Sequence, residues 1–200
     1  MVDLNNEIRF ILGSSSPRRR DLLKQIGIFP NQIIAPEIDE KILKNELPLS
    51  YVKRMVLKKM SKVKEDNPTS LIMTADTIVH VGRRILEKTS EKHEAEKSLK
   101  MLSGRRHNVI TAFLITSPNY KGKLKIVSSI VKFKRLTMNE IKFYLKTNEW
   151  RGKAGGYGIQ GFASRYVNFV SGSYSNIVGL PLAEVYRTLN SAGLIKNNEK

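Results

Sequence analysis

The stretch Ile8–Gly27, IRFILGSSSPRRRDLLKQIG, decides how the chain is read, because it passes from an apolar run through three hydroxyls and a proline into helical spacing. Phe10, Ile11 and Leu12 make a short run suited to a buried strand. Ser16 suits an N-cap, its hydroxyl accepting from a first-turn N–H, and Pro17 suits the first helical position, where a missing N–H costs nothing. Leu22, Leu23 and Ile26 fall on one helical face and Gly27 is placed to stop the helix. The unit is therefore strand, serine-rich turn, helix. Free amides and the macrodipole at such a helix start attract anions. Arg18 and Arg19 have the wrong sign for that dipole unless something negative lies beside them, and a phosphate would supply it. A capped helix with a solvated basic face is the plainer alternative. No G-x-x-x-x-G-K-[ST] pattern occurs, so this is not a Walker loop.

Outward from this unit the pattern stays mixed. NQIIAPEIDEK reads as a short strand and an acidic turn, and from Ser50 a helix places Val52, Met55, Val56, Met60 and Val63 along one side. Lys59 shares that inward stripe, where it either snorkels outward or meets an internal anion. Its place in the stripe predicts that methionine at 59 would still fold. LIMTA reads as an apolar strand ending at Asp76-Thr77, with IVHV resuming strand character. A helix follows with Ala95, Leu99 and Leu102 inward and Gly104 as its stop. NVITAFLIT and IVSSIVKFKRL read as long strands forming a hairpin candidate through SPNYKGK. Thr137-Met-Asn-Glu140 is a capping box. RYVNFV is strand-like, and GLPLAEVYRTLNSAG reads as a helix started by proline and stopped by glycine. The class is α/β with some antiparallel pairing, and the absence of repeats or long linkers predicts one continuous domain over residues 1–200.

Composition narrows the chemistry. With 200 residues and 40% hydrophobic residues, the chain suits a soluble globular protein with a proper core. It has no run of apolar residues long enough for a membrane span, and MVDLNNEIRF lacks the apolar core of a signal peptide, so a cytoplasmic location is expected. Zero cysteines removes disulfides, thiolate nucleophiles and cysteine–metal sites. Any metal would sit on oxygen ligands, which favours magnesium or manganese. The net charge of +17 points to a polyanionic partner, but the lysines are scattered and no nucleic-acid-binding signature occurs.

Asp76 is the leading catalytic candidate, since a carboxylate after an apolar strand is where open α/β sheets place ligand sites; a turn-capping Asp is the alternative. Glu40 is a second acid that could share a magnesium ion with Asp76. GGYGIQG contains Gly156-x-Gly158-x-x-Gly161, but it precedes a strand and opens no helix, so it is not a dinucleotide fingerprint. Its glycines suit a close approach to a flat ligand, with Gln160 offering its amide to a base edge; a tight loop without ligand is the alternative. Together these signals suit a nucleotide held through phosphates and base.

Five blocks, ILGSSSPRRRDLLKQIG, TADTIV, LSGRRHNVITA, KAGGYGIQG and GSYSNIVGLPL, resemble in order the Maf family of nucleoside triphosphate pyrophosphatases. The resemblance implies an elongated fold with a central mixed sheet flanked by helices and a cleft between two lobes, a homodimer, a divalent metal cofactor, and hydrolysis of nucleoside triphosphates to monophosphate and pyrophosphate. It implies that Asp76 is the proton acceptor. Ser14, Ser16, Arg18 and Arg19 would surround the phosphates, Lys88 and Lys153 would be phosphate lysines, and Glu40 and Lys59 match further substrate-binding positions of the family. The selecting trio would be Arg18, Thr77 and Gln160, which resembles the branch acting on dTTP and UTP. The chain departs from the family pattern at Thr89, where proline is usual, and at Gly152, where aspartate is usual. A non-catalytic basic protein that binds nucleic acid or regulates division is the competing expectation.

Overall fold

The computed structural model describes residues 3–4 and 9–196. In chain order the elements are β1 (Asp3–Leu4), β2 (Phe10–Gly13), α1 (Pro17–Gln25), β3 (Gln32–Ile34), α2 (Pro48–Asp66), β4 (Leu71–Val81), β5 (Arg84–Leu86), α3 (Lys92–Leu102), β6 (Arg106–Thr116), β7 (Lys125–Phe133), α4 (Met138–Lys146), β8 (Val167–Ser171), α5 (Tyr174–Val178), α6 (Leu182–Ser191) and β9 (Ile195–Lys196). A mixed sheet runs β3-β2-β4-β6-β7-β8 with β5 attached to β4, while β1 and β9 pair separately. The α/β class is as the sequence predicts. The packing divides into two units, residues 1–76, 111–126 and 179–200 in the first and residues 77–110 and 127–178 in the second.

In the first unit β2 lies between β3 and the start of β4, parallel to both, with Leu12 opposite Ile33 on one side and Met73 on the other. A parallel strand flanked on both edges is covered on both faces, which is why FILG is buried throughout instead of alternating. Gly13 fits this close packing: a Cβ there would stand 2.7 Å from Thr74 Cγ2 and 3.1 Å from Val63 Cγ2. The α2 helix begins at Pro48, two residues before the expected Ser50, because the proline serves as its first helical residue. Its buried face carries Val52, Met55, Val56, Met60, Val63 and also Lys59. Gly27 sits at φ +72 and closes α1, its N–H donating to Lys24 O at 3.0 Å, as expected of a left-handed stop. At α6 the proline is the N-cap and not the first helical residue.

The second unit contains the end of β4, which turns back antiparallel into β5 with Val79 opposite Leu86. It also contains β7 and β8, antiparallel with Val131 opposite Val170. The α3 helix buries Ala95, Leu99 and Leu102, and α4 buries Ile141, Tyr144 and Leu145 behind the capping box of Thr137 and Glu140. Glu140 is held far below the usual carboxylate range, at about 2, by the hydrogen bond from Lys134, with the Thr137 amide adding to it. An aromatic core stacks edge-to-face, with Phe133 4.8 Å from Tyr157 and 5.2 Å from His107.

One expectation fails along β4. The strand does not end at Asp76; it runs unbroken from Leu71 to Val81. Asp76-Thr77 carries no glycine or proline to turn the backbone, and β-branched residues on both sides favour extension. Asp76 is therefore held rigidly inside a strand, not on a strand-end loop.

Candidate active site

Asp76 is only 2% exposed, which an ionised carboxylate does not tolerate without a partner. The partner is Lys59. Its Nζ lies 2.6 Å from Asp76 Oδ1 and 2.6 Å from Glu40 Oε1, so one ammonium joins two carboxylates from different parts of the chain. Lys59 is itself 6% exposed and does not snorkel; the internal anion is the alternative realised. Helix α2 places this lysine among apolar neighbours because Val56 and Met60 pack on either side of it in the same stripe, and the α2 backbone is tied to β4 by Thr74 Oγ1 donating to Val56 O at 3.2 Å. Glu40 reaches the lysine from the segment after β3, where Tyr51 of α2 donates its hydroxyl to Glu40 O at 2.9 Å.

A second cation lies in the same environment. Arg19 is buried, its Nη1 donating to Ser14 Oγ at 2.8 Å and its Nε to Gly179 O at 2.9 Å. Burial pulls its pKa below the usual arginine range, opposed by the negative charges of Asp76 and Glu40. Arg18, half-buried beside it, is likewise lowered by burial. Both stay charged, because guanidinium does not lose its proton in proteins.

The serines act differently from expectation. Ser16 occupies the N-cap position with extended backbone, but its hydroxyl makes no cap bond. Ser14 Oγ instead accepts the Ser16 N–H at 3.3 Å and the Arg19 guanidinium, so the hydroxyl two residues earlier organises the loop. The helix start is thus left without a side-chain cap, and Arg18 and Arg19 lie in its first turn. Ser14, Arg19, Glu40, Lys59 and Asp76 are brought together, with Ser16 and Arg18 at their edge.

Thr77, Lys88, Lys153 and Gln160 belong to the second unit. Thr77 is half-buried in β4, and Lys88 is exposed after β5. Lys88 lines a cavity of about 360 Å³ with Arg84, Glu87, Glu94, Lys97 and Ser98. Gly152 N–H donates to Thr89 O at 3.2 Å, so the two departures from the family pattern meet each other and join the segments that carry Lys88 and Lys153. Lys153 Nζ donates to the Glu149 carbonyl. Gln160 is exposed on the glycine-rich loop. The glycines there have internal reasons: Gly155, at φ +70, lies against Val79, where a Cβ would come within 2.9 Å of Cγ1. Close packing against β4 accounts for Gly155 without a ligand.

Three contributors escaped the sequence reading. Gly179 acts through a carbonyl, which no side-chain pattern reveals. His107 and Tyr157 sit in recognisable blocks, yet nothing in their spacing shows that His107 Nε2 and the Tyr157 hydroxyl share a hydrogen bond of 2.8 Å beneath the loop. Burial lowers the His107 pKa to about 4, the Arg105 carbonyl offsetting only part of it, so the ring is neutral near pH 7.

A family model described as Maf-like protein matches residues 9–192. The chain belongs to the Maf family. It is 50% identical over 184 residues to the dTTP/UTP pyrophosphatase of Roseobacter denitrificans, covering 92% of this chain and 97% of the relative. It is 48% identical over 189 residues to a dTTP/UTP pyrophosphatase from a Wolbachia of Drosophila simulans, covering 94% of each. It is also 46% identical over 180 residues to a nucleoside triphosphate pyrophosphatase of Anaplasma phagocytophilum, covering 90% of this chain and 93% of the relative. As a Maf protein, the chain holds Asp76, Lys59 and Arg19 buried, with the half-exposed Glu40 beside them. No helix among the described residues is long and apolar enough to cross a membrane.

Proposed function

We propose that the chain hydrolyses dTTP and UTP to the monophosphate and pyrophosphate. The observation that carries this reading is the buried Asp76 carboxylate, held by Lys59 Nζ at 2.6 Å in company with Glu40 and facing the field of Arg19. Buried charges cost stability, and a cluster of them in one place marks a site built for chemistry. Relatives of near 50% identity that bear the name dTTP/UTP pyrophosphatase support the substrate class.

Phosphoryl hydrolysis needs a placed water and compensation of the phosphate charge. Arg19 is fixed in two directions by Ser14 and Gly179, so its guanidinium is preorganised, and Arg18 with the uncapped α1 terminus adds positive field. Asp76 orients the attacking water and takes its proton, because a strand interior allows the carboxylate little movement. Lys59 Nζ donates to Oδ1 of Asp76 and so tethers the base. By motif correspondence, Lys88 and Lys153 contact phosphates, and Thr77 and Gln160 with Arg18 select the base.

Among the described residues no group of three or more His, Asp or Glu gathers for a metal. Glu40 and Asp76 nonetheless already converge on one cation, and two hard carboxylates completed by substrate oxygens suit Mg²⁺ or Mn²⁺. Held by Glu40 and Asp76, such an ion would neutralise phosphate charge and make water more acidic. A cytoplasmic location, expected from the sequence pattern, and a homodimer, expected from the family resemblance, complete the proposal.

The test is a pyrophosphate-release screen with Mg²⁺ and Mn²⁺ over dTTP, UTP, methylated GTP, ITP and XTP. dTTP and UTP are expected to lead. A marked preference for the purine nucleotides would overturn the substrate assignment, and salt-sensitive DNA binding without any turnover would overturn the enzyme itself.

A further inference from the structure

We propose that Glu149 is a positioning residue for substrate selection, folding residues 149–162 into a closed loop that fixes where Gln160 presents its amide. The inference rests on the proposed function through the role given to Gln160. Glu149 Oε2 accepts the Phe162 N–H at 2.8 Å, so a carboxylate eleven residues before Gln160 grips the backbone two residues after it. Such a charge-assisted bond is stronger than one between neutral groups. The opposite flank is anchored too, with Gly158 N–H donating to the Tyr144 hydroxyl at 3.1 Å. Gln160 is the exposed residue suspended between these two ties.

Gly161 supplies an independent observation. Its φ of −109 lies outside the left-handed region, so φ does not demand glycine. Space does: a Cβ at 161 would lie 2.1 Å from Glu149 Oε2 and 2.7 Å from Oε1. Glycine is needed there because the carboxylate is docked on the loop. Lys153 is tied to the Glu149 backbone carbonyl, which a side-chain substitution leaves in place. Removing the carboxylate therefore loosens Gln160 and spares Lys153, which separates base selection from phosphate contact.

The experiment compares the full-length chain with Glu149→Ala, Glu149→Gln, Gly161→Ala and the Glu149→Ala/Gly161→Ala pair. Steady-state kinetics on dTTP and GTP are measured together with hydrogen exchange at the Phe162 amide. Glu149→Ala should raise KM for dTTP about tenfold with kcat within about twofold, the pattern of lost ground-state positioning, and should lower the dTTP-over-GTP preference. Glu149→Gln keeps an acceptor for Phe162 and should stay within about threefold of the parent. Gly161→Ala expels the flexible carboxylate and should copy Glu149→Ala, with the double variant no worse than either, since both break one interaction. An unchanged KM in Glu149→Ala, a loss confined to kcat, a Gln variant as impaired as Ala, or multiplying losses in the pair would each overturn the proposal. If the parent does not hydrolyse dTTP, the proposed function fails, and the loop is judged by exchange alone. Phe162 protection lost in the Ala variants and kept in Gln sustains the lock; equal protection in all of them overturns it.

Discussion

Replacing Lys59 by methionine probes the site through stability before any assay of activity. The side chain keeps its length and apolar stem, so the helix stripe of Val52, Val56 and Val63 stays filled. What is lost is the ammonium that holds two carboxylates at 2.6 Å. Glu40, whose side chain is 41% exposed, can turn to water, but Asp76, at 3%, cannot. One buried carboxylate is therefore stranded. Removing one partner of a buried ion pair costs about 3 to 5 kcal/mol, and the lower end applies here because only Asp76 is trapped and the positive field of Arg19 remains. The structure thus revises the expectation that methionine is tolerated: Lys59→Met should lose about 3 kcal/mol at pH 7. Urea unfolding followed by circular dichroism should show the midpoint falling by about 1 M or more. Adding Asp76→Asn should restore most of the loss, because the stranded charge goes with it. A Lys59→Met midpoint equal to the parent's, or no recovery in the double variant, would show that no buried charge is stranded at Asp76.

His107 gives a pH signature. Its folded pKa of about 4 lies below the unfolded value of about 6.5, so the unfolded chain binds the proton first; the stability is fully present above pH 6.5 and is lost as pH falls through 4. The parent should therefore lose about 3 kcal/mol relative to His107→Gln across that window, and parallel curves from pH 7 to 4 would contradict the assignment. Gly13→Ala should destabilise the first unit by about 1 to 3 kcal/mol in thermal unfolding, since its Cβ would press on Thr74 at 2.7 Å within a strand covered on both faces; a variant as stable as the parent would show the packing to be looser.

Much of this architecture was legible because local chemistry and tertiary context agree. Pro17 and Gly27 bracket α1, Thr137 and Glu140 close their capping box, and the apolar stripe of α2 turns inward as its period requires. Lys59 was legible as inward-facing, but its partners were not, since periodicity places a side chain on a face and says nothing of what faces it. Asp76 was read as a strand end because a charged residue interrupts an apolar run; the ion pair with a lysine 17 residues away is what lets the strand continue. Ser16 has the chemistry of a cap and does not use it, the loop being organised instead by Ser14 and a side chain from the helix it precedes. Glu149 carried no local signal at all, because its partner at Phe162 is a backbone amide and its mark on the sequence is a glycine at 161.

In the proposed reaction a water held by Asp76 attacks the α-phosphorus of a pyrimidine nucleoside triphosphate. Hydrolysis of dTTP in ¹⁸O-labelled water, with products resolved by mass spectrometry, tests it most directly. Pyrophosphate is expected as the second product and the label in dTMP, with Asp76→Asn folded, able to bind nucleotide and slower by about 10² or more. Label in pyrophosphate would place the attack on the β-phosphorus, formation of diphosphate and orthophosphate would place it on the γ-phosphorus, and an Asp76→Asn variant of undiminished rate would contradict the account outright.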